Sequence, residues 1–414
     1  MLQLSPDLNS ADARINLDRL VNSGIAAKQF RTDIKSLQSR FNAYVTACPA
    51  PFIAPGLIVT PEIRRQSEIY LPIAEISSVF HRLYRSALSC PPILSSTPFY
   101  MSLSWADAFV TLPPRFQQSA NPARLLEELL SDRELLLEFL FASFLPQRFY
   151  GGFGRYPGQM EFIRQWLTTL HQSHSHPVLS CLDAACGTGE DSYGLAALLM
   201  DTGFAPDQIR IEGWTLEPLE VWAAVHLGFP HDRRREAAYR KETALLFERE
   251  YQSSIHFRCA DLTESPLNYS VIPPPLQGEG WGGDGVDCRL SASFKYGPPP
   301  PPNLPLEGGG TKYSRLGRNL PSGQANYVDQ FDLILCNGLL GGPIINEPAK
   351  LEQVVSNLAG LLAPGGLLLA ADSFHGGWKS NLRDTGLKAL FVRMGLKDID
   401  VGEGIGGLKS IGPE

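Results

Sequence analysis

Apolar residues along the chain change their spacing near position 177. Before it they recur every three or four residues, as on one face of a helix; after it they gather into short runs. Ser10 to Ala47 has the helical spacing and stops at Cys48-Pro-Ala-Pro51. A second helical stretch between Pro61 and Ser89 divides at Pro72, after which Ile73, Ile76, Phe80 and Leu83 share a face. Pro91-Pro92 ends it, because proline cannot continue the backbone ladder. Asn121-Pro122 opens a third, with proline in the first turn. Its leucines, Leu125, Leu126, Leu129, Leu130 and on to Leu145, are dense enough to be buried. Residues 1–147 are therefore expected to form a helical cap or partner domain.

The apolar runs beyond are Val178–Ala184, Ile209–Leu216, Ile255–Cys259, Phe331–Cys336 and Gly366–Ala371, with helical stretches between them. Strand–helix alternation of this kind predicts an α/β domain, 148–414, built on a doubly wound, mostly parallel sheet. One stretch breaks the rhythm. Residues 273–323 hold ten of the 33 prolines and eleven of the 38 glycines, and repeat a phrase: Pro-Pro-Leu-Gln-Gly-Glu-Gly280 and Leu-Pro-Leu-Glu-Gly-Gly-Gly310. Such a composition buries too little apolar surface to fold alone. It is expected to be a flexible insertion, dispensable for folding, and it resembles translated palindromic repeats that invade bacterial genes. A docking site for a proline-reading partner is the sharper alternative.

Composition narrows the function classes. A net charge of -7 disfavours a protein that coats nucleic acid or an anionic membrane. No stretch has the ~18 uninterrupted apolar residues of a membrane span, and residues 1–10 have no secretory core. The seven cysteines form no CxxC pair, which suggests reduced thiols in a cytoplasmic protein without a metal site. His171, His174 and His176 have conceivable metal spacing but no carboxylate or cysteine partner, so a solvated linker is the plainer reading. The same holds for Arg233-Arg-Arg235, read as a solvated helix face.

The chemistry concentrates at strand ends. Leu182-Asp-Ala-Ala-Cys-Gly-Thr-Gly-Glu190 is a strand, a glycine turn and a helix start. Asp183, Ala185, Gly187 and Gly189 would bring backbone close to a ligand. The third glycine of a dinucleotide turn is missing, and Glu190 stands where a pyrophosphate would be repelled, so a cationic ligand fits better. The next strand ends at Glu217-Pro218, where a carboxylate can accept from two ribose hydroxyls. The following ones end at Asp261-Leu262, suited to an adenine amino group and ring, and at Asn337-Gly338. Ligands lie outside the carboxyl ends of parallel strands, so these four tips should converge.

These residues resemble a known class. The region from about Phe149 to Ser380 looks like a class I methyltransferase dependent on S-adenosylmethionine (SAM), most similar to the chemotaxis-receptor glutamate methyltransferases (the CheR family). Gly187-Thr-Gly-Glu-Asp-Ser-Tyr193 resembles that family's Thr-Gly-Glu-Glu-Pro-Tyr phrase. Phe331-Asp-Leu-Ile-Leu-Cys-Asn337 and Leu362-Ala-Pro-Gly-Gly-Leu367 resemble its fourth strand and its Pro-Gly-Gly turn. Arg155 lies where the family's Phe-Phe-Arg arginine reaches the cofactor. The family's Arg-Asn pair is Asn337-Gly338 here, and residues 1–147 do not match its receptor-docking domain. The resemblance implies SAM as cofactor and transfer of a methyl group, with a carboxylate of a protein or small acid as acceptor. Base-assisted methylation of a small molecule, with His375 as the base, is the alternative. A SAM-binding scaffold and an NAD(P)-dependent oxidoreductase are the readings from other classes.

Overall fold

The computed structural model describes residues 2–22, 24–48, 54–90, 99, 102–145, 152–173, 178–264, 330–342, 345, 347–371 and 384–411. The 273–323 segment, His375 and the pair His174 and His176 lie outside them.

The chain opens on a two-residue strand, β1 (Gln3–Leu4), and then runs through helices α1 (Ser10–Leu20), α2 (Arg31–Ala47), α3 (Pro61–Tyr70), α4 (Ile73–Ala87), α5 (Trp105–Thr111), α6 (Pro122–Ser131) and α7 (Arg133–Phe144). The breakers act where the sequence places them. Thr60 and Asn121 cap α3 and α6 through their side chains, with Pro61 and Pro122 in the first turns. Pro72 separates α3 from α4, and Ile76, Phe80 and Leu83 of α4 are fully buried. The expected helix from Ser10 to Ala47 is in fact two, parted by an extended stretch and one 3-10 turn at Ala27–Phe30.

Helix α8 (Pro157–Ser173) leads into the alternating part: β2 (Leu179–Asp183), α9 (Glu190–Asp201), β3 (Ile209–Thr215), α10 (Pro218–His226), α11 (Arg233–Glu248), β4 (Ile255–Cys259), β5 (Phe331–Leu335), α12 (Pro348–Leu361), β6 (Leu362–Ala370), α13 (Asp384–Arg393), β7 (Leu396–Ile399) and β8 (Ile405–Lys409). One eight-stranded sheet results, in the order β1-β4-β3-β2-β5-β6-β8-β7. Strands β4, β3, β2, β5 and β6 are parallel; β1, β8 and β7 pair antiparallel at the two margins. This is the doubly wound fold expected from the sequence, extended by three margin strands. No helix among the described residues is long and apolar enough to cross a membrane.

Both faces of the parallel strands are buried, which explains their continuous apolar runs. Leu182, Trp214, Ile334 and Leu368 pack with α12 and α13; Cys181, Ile211, Leu333 and Leu369 pack on the other face with α9 and α10. That second cluster continues without a break into Leu37, Phe80, Phe109, Leu126 and Phe139 of the helical region. The two regions therefore share one core. The first residues and the start of α1 also lie along α10 and β4: Asp7 N donates to Val225 O (2.9 Å), Trp222 Nε1 to Ala13 O (2.8 Å), and Cys259 N to Leu2 O (3.0 Å).

In the middle of β3, Gly213 leaves room for the Phe257 ring; a Cβ there would stand 2.5 Å from Phe257 Cδ1 and 3.0 Å from Ser192 Oγ. Gly213→Ala is expected to destabilise the protein by about 1–3 kcal/mol, as for overpacking of a tight core. Adding Phe257→Leu should recover part of that loss. Denaturant unfolding of the two variants checks this, and equal stability of Gly213→Ala and the wild type would contradict it.

Candidate functional site at the sheet's switch point

From β2 the chain moves outward to β3 and β4, then returns to place β5 on the other side of β2. Helices consequently leave β2 and β5 in opposite directions, opening a crevice outside their C-terminal ends. The tips of β2, β3, β4 and β5 border this crevice, and they carry the residues singled out from the sequence.

The turn after β2 is laced to its neighbours: Ala184 N donates to Leu335 O (2.7 Å), Cys186 N to Trp214 O (3.0 Å) and Gly189 N to Cys186 O (2.8 Å). Gly187 and Gly189 both take positive φ, +52° and +90°. Gly189 is constrained twice, since a Cβ would also meet Phe257 Cζ at 2.9 Å. Ala185 and Gly187 remain half-exposed, as do Pro218, Asp261, Gly338 and Arg155, while Asp183, Gly189 and Glu190 are buried. Apart from Arg155, which precedes α8, the half-exposed set is the surface these strand tips offer.

Glu190 does not present its charge to the crevice as the sequence suggested. Its Oε1 accepts from Arg235 Nη2 (3.0 Å) and its Oε2 from Thr188 Oγ1 (2.8 Å). Arg235 is therefore a buried cation, 6% exposed, whereas Arg233 and Arg234 are exposed. The reading of all three as a solvated face is corrected. Reach explains it: Arg235 and Tyr239 stand four residues apart on the inner face of α11, and Phe229 stacks on the guanidinium at 4.4 Å.

The carboxylate that meets Arg155 is instead Asp191, one residue further on. Its Oδ2 accepts from Arg155 Nη2 (3.2 Å) and Asn337 Nδ2 (3.1 Å). Asn337 also exchanges two hydrogen bonds with Gln159 of α8 and accepts from Ala371 N (2.9 Å), so its side chain is a brace. The adjoining Gly338 has φ +73°, with Arg155 Nη2 3.9 Å from where a Cβ would be. Asp183 accepts from Ser192 Oγ (2.7 Å); burial, together with the nearby Asp191 charge, pushes its pKa well above the usual carboxyl range. Neither Asp191 nor Gln159 was foreseen. Position within the first helical turn was the only signal for Asp191, and a lone glutamine gave none.

At the tip of β3, Glu217 is 1% exposed and its Oε2 has no hydrogen-bond partner among the described residues. Burial, reinforced by the neighbouring Glu220 charge, raises its pKa to about 8. A buried carboxyl oxygen left without a partner is costly. At the tip of β4, Asp261 Oδ1 accepts from Thr263 N (2.9 Å) and Oγ1 (2.6 Å), which fixes the carboxyl in a local turn; Leu262 is buried and held by Asn357 Nδ2 at its carbonyl (2.8 Å).

No family model matches the sequence, nor does any curated protein. Solved structures do match. A TehB-like SAM-dependent methyltransferase from Corynebacterium glutamicum is 11% identical, over 61% of this chain and 87% of its own, with a TM-score of 0.29. The N-methyltransferase NodS from Bradyrhizobium japonicum is 12% identical, over 61% and 97%, with a TM-score of 0.29. A SAM-bound amino pentose methyltransferase from Micromonospora echinaspora is 14% identical, over 52% and 49%, with a TM-score of 0.23.

The raised carboxyl pKa values set a pH dependence. Between the ordinary Glu value of 4.5 and about 8, the folded protein keeps a proton on Glu217 that the unfolded chain has released. Stability from this group is thus full below pH 4.5 and is lost as pH rises through about 8. Asp183 acts in the same direction. Without ligand, the unfolding free energy should fall across this window, and Glu217→Gln should flatten the fall. Chemical denaturation at a series of pH values measures it; identical profiles for the two proteins would exclude Glu217 as a source.

Proposed function

We propose that the chain is a SAM-dependent methyltransferase whose cofactor lies in the crevice between the tips of β2, β3, β4 and β5. The observation that carries this reading is the unpartnered, buried Oε2 of Glu217 beside a glycine turn. Its position supports a ligand with a vicinal diol: the two hydroxyls would donate to the ionised carboxylate, and binding would then release the proton that Glu217 holds in the free protein. The residues fit SAM at its other parts as well. Ala185 and Gly187 give an open backbone surface, and Asp261 and Leu262 suit an adenine. At the far side Arg155 suits a carboxylate, while Asp191, not Glu190, supplies negative charge near an amino group.

Bound there, SAM supplies a methyl group on a sulfonium, open to in-line displacement. The protein's share is to hold acceptor and donor in line and to keep the ionic contacts dry, chiefly a matter of proximity and orientation. A carboxylate acceptor is already ionised and needs no base. That agrees with the resemblance of Gly187–Tyr193 and Phe331–Asn337 to carboxylate methyltransferases, so the proposed acceptor is a carboxylate of a protein or small acid.

Calorimetric titration with S-adenosylhomocysteine tests the cofactor. Glu217→Ala should weaken binding by about 1.5–3 kcal/mol, as for a hydrogen bond with a charged partner. Gly187→Val should weaken it further, because a β-branched residue resists positive φ. Unchanged affinity in both variants would sink the assignment.

For the acceptor, transfer of labelled methyl from SAM followed by mild alkali separates the cases. A methyl ester releases its label, whereas N-methyl and ether products keep it. Alkali-stable label would replace the carboxylate reading.

A further inference from the structure

Arg235 lies outside the crevice, yet two of the bonds that shape the crevice's glycine turn end on it. Its Nη2 donates to Thr188 Oγ1 (2.6 Å) and Glu190 Oε1 (3.0 Å), the residues on either side of Gly189. Thr188 is itself fully buried and shares its hydroxyl with Tyr239 (2.9 Å). The other arm, Nη1, donates to Leu145 O (3.4 Å), which also bonds His231 Nε2 (3.0 Å). Leu145 caps α7, at the exit from the helical region. One guanidinium thus spans from the end of the helical region to the turn.

We propose that Arg235 is a positioning residue that holds the glycine turn in its ligand-binding shape, by neutralising Glu190 and fixing Thr188, with Leu145 as its anchor. Gly187 and Gly189 supply the turn with freedom, and freedom alone would let it sample many backbone conformations. A planar five-donor fork removes that freedom at both sides of Gly189; a lysine ammonium in its place keeps the charge and loses the fork. Glu190 is the complement: with Arg235 gone, it becomes an uncompensated buried charge. The identity of the ligand, though not the role of Arg235, rests on the SAM reading.

The test compares wild type, Arg235→Lys, Arg235→Met and Arg235→Met/Glu190→Gln, by calorimetric titration with S-adenosylhomocysteine and by amide hydrogen exchange. Arg235→Met is expected to weaken binding at least about tenfold, and the double variant to regain most of it, since the stranded charge is removed. Should Arg235→Met fail to fold, Arg235→Lys and the double variant carry the comparison. In Arg235→Lys, exchange at Cys186–Tyr193 should quicken by about tenfold while Phe331–Leu335 stays protected, a local loosening that a general loss of stability would not give. Wild-type affinity in Arg235→Lys, or equal quickening in β5, would overturn the proposal. If the wild type does not bind S-adenosylhomocysteine, the SAM reading fails, and exchange at the turn alone decides the role of Arg235.

Discussion

Burial of negative charge is the constraint on which this site depends. Asp183, Glu190, Asp191, Glu217 and Glu220 are all under 10% exposed, and they crowd the ends of β2 and β3 and the starts of α9 and α10. Each carboxylate withdrawn from water loses hydration that only cations, donors or a retained proton can offset. The fold applies all three. Arg235 meets Glu190 and Arg155 meets Asp191; the hydroxyls of Ser192 and Thr215 serve Asp183 and Glu220; Asp183 and Glu217 hold their protons well above the usual carboxyl range.

Once those pairings are assigned, a buried carboxyl oxygen is left over among the described residues. Glu190, the acidic residue most conspicuous in the glycine phrase, is occupied on both oxygens and acts as scaffold. Glu217 keeps an oxygen with no donor. Asp191 shares its charge with a half-exposed arginine at the rim. The same backbone pattern thus divides three carboxyl groups into a brace, a buried group with one oxygen unpartnered among the described residues, and a rim charge.

The parallel strands were legible because burial on both faces leaves little but apolar residues in them. Ile255–Cys259 is observed with the expected ends, and the strands beginning at Ile209 and Phe331 end one residue early. Strands β1, β7 and β8 went unread: Gln3–Leu4 is too short to have a period, and Ile405-Gly-Gly-Leu-Lys409 reads as a glycine loop until β6 lies beside it. At the site, the positions of the glycines and of Glu217 followed from strand-end logic. The direction of Glu190 did not, because its partner Arg235 comes 45 residues later from another helix. A linear pattern fixes which residues reach a strand tip, not which of them are already engaged.

The pairing of β1 with β4 bears on how the molecule is assembled. Gln3 and Leu4 align with Arg258 and Phe257, and Ser5 reaches His256 over a separation of 251 residues. During synthesis the first strand leaves the ribosome with no partner, and waits for most of the chain before it can dock. The outer edge of β4 is meanwhile an open row of amides and carbonyls, a template for any other extended segment. Two residues at the margin of the sheet thereby cover part of that edge, and they can do so only once β4 has been made.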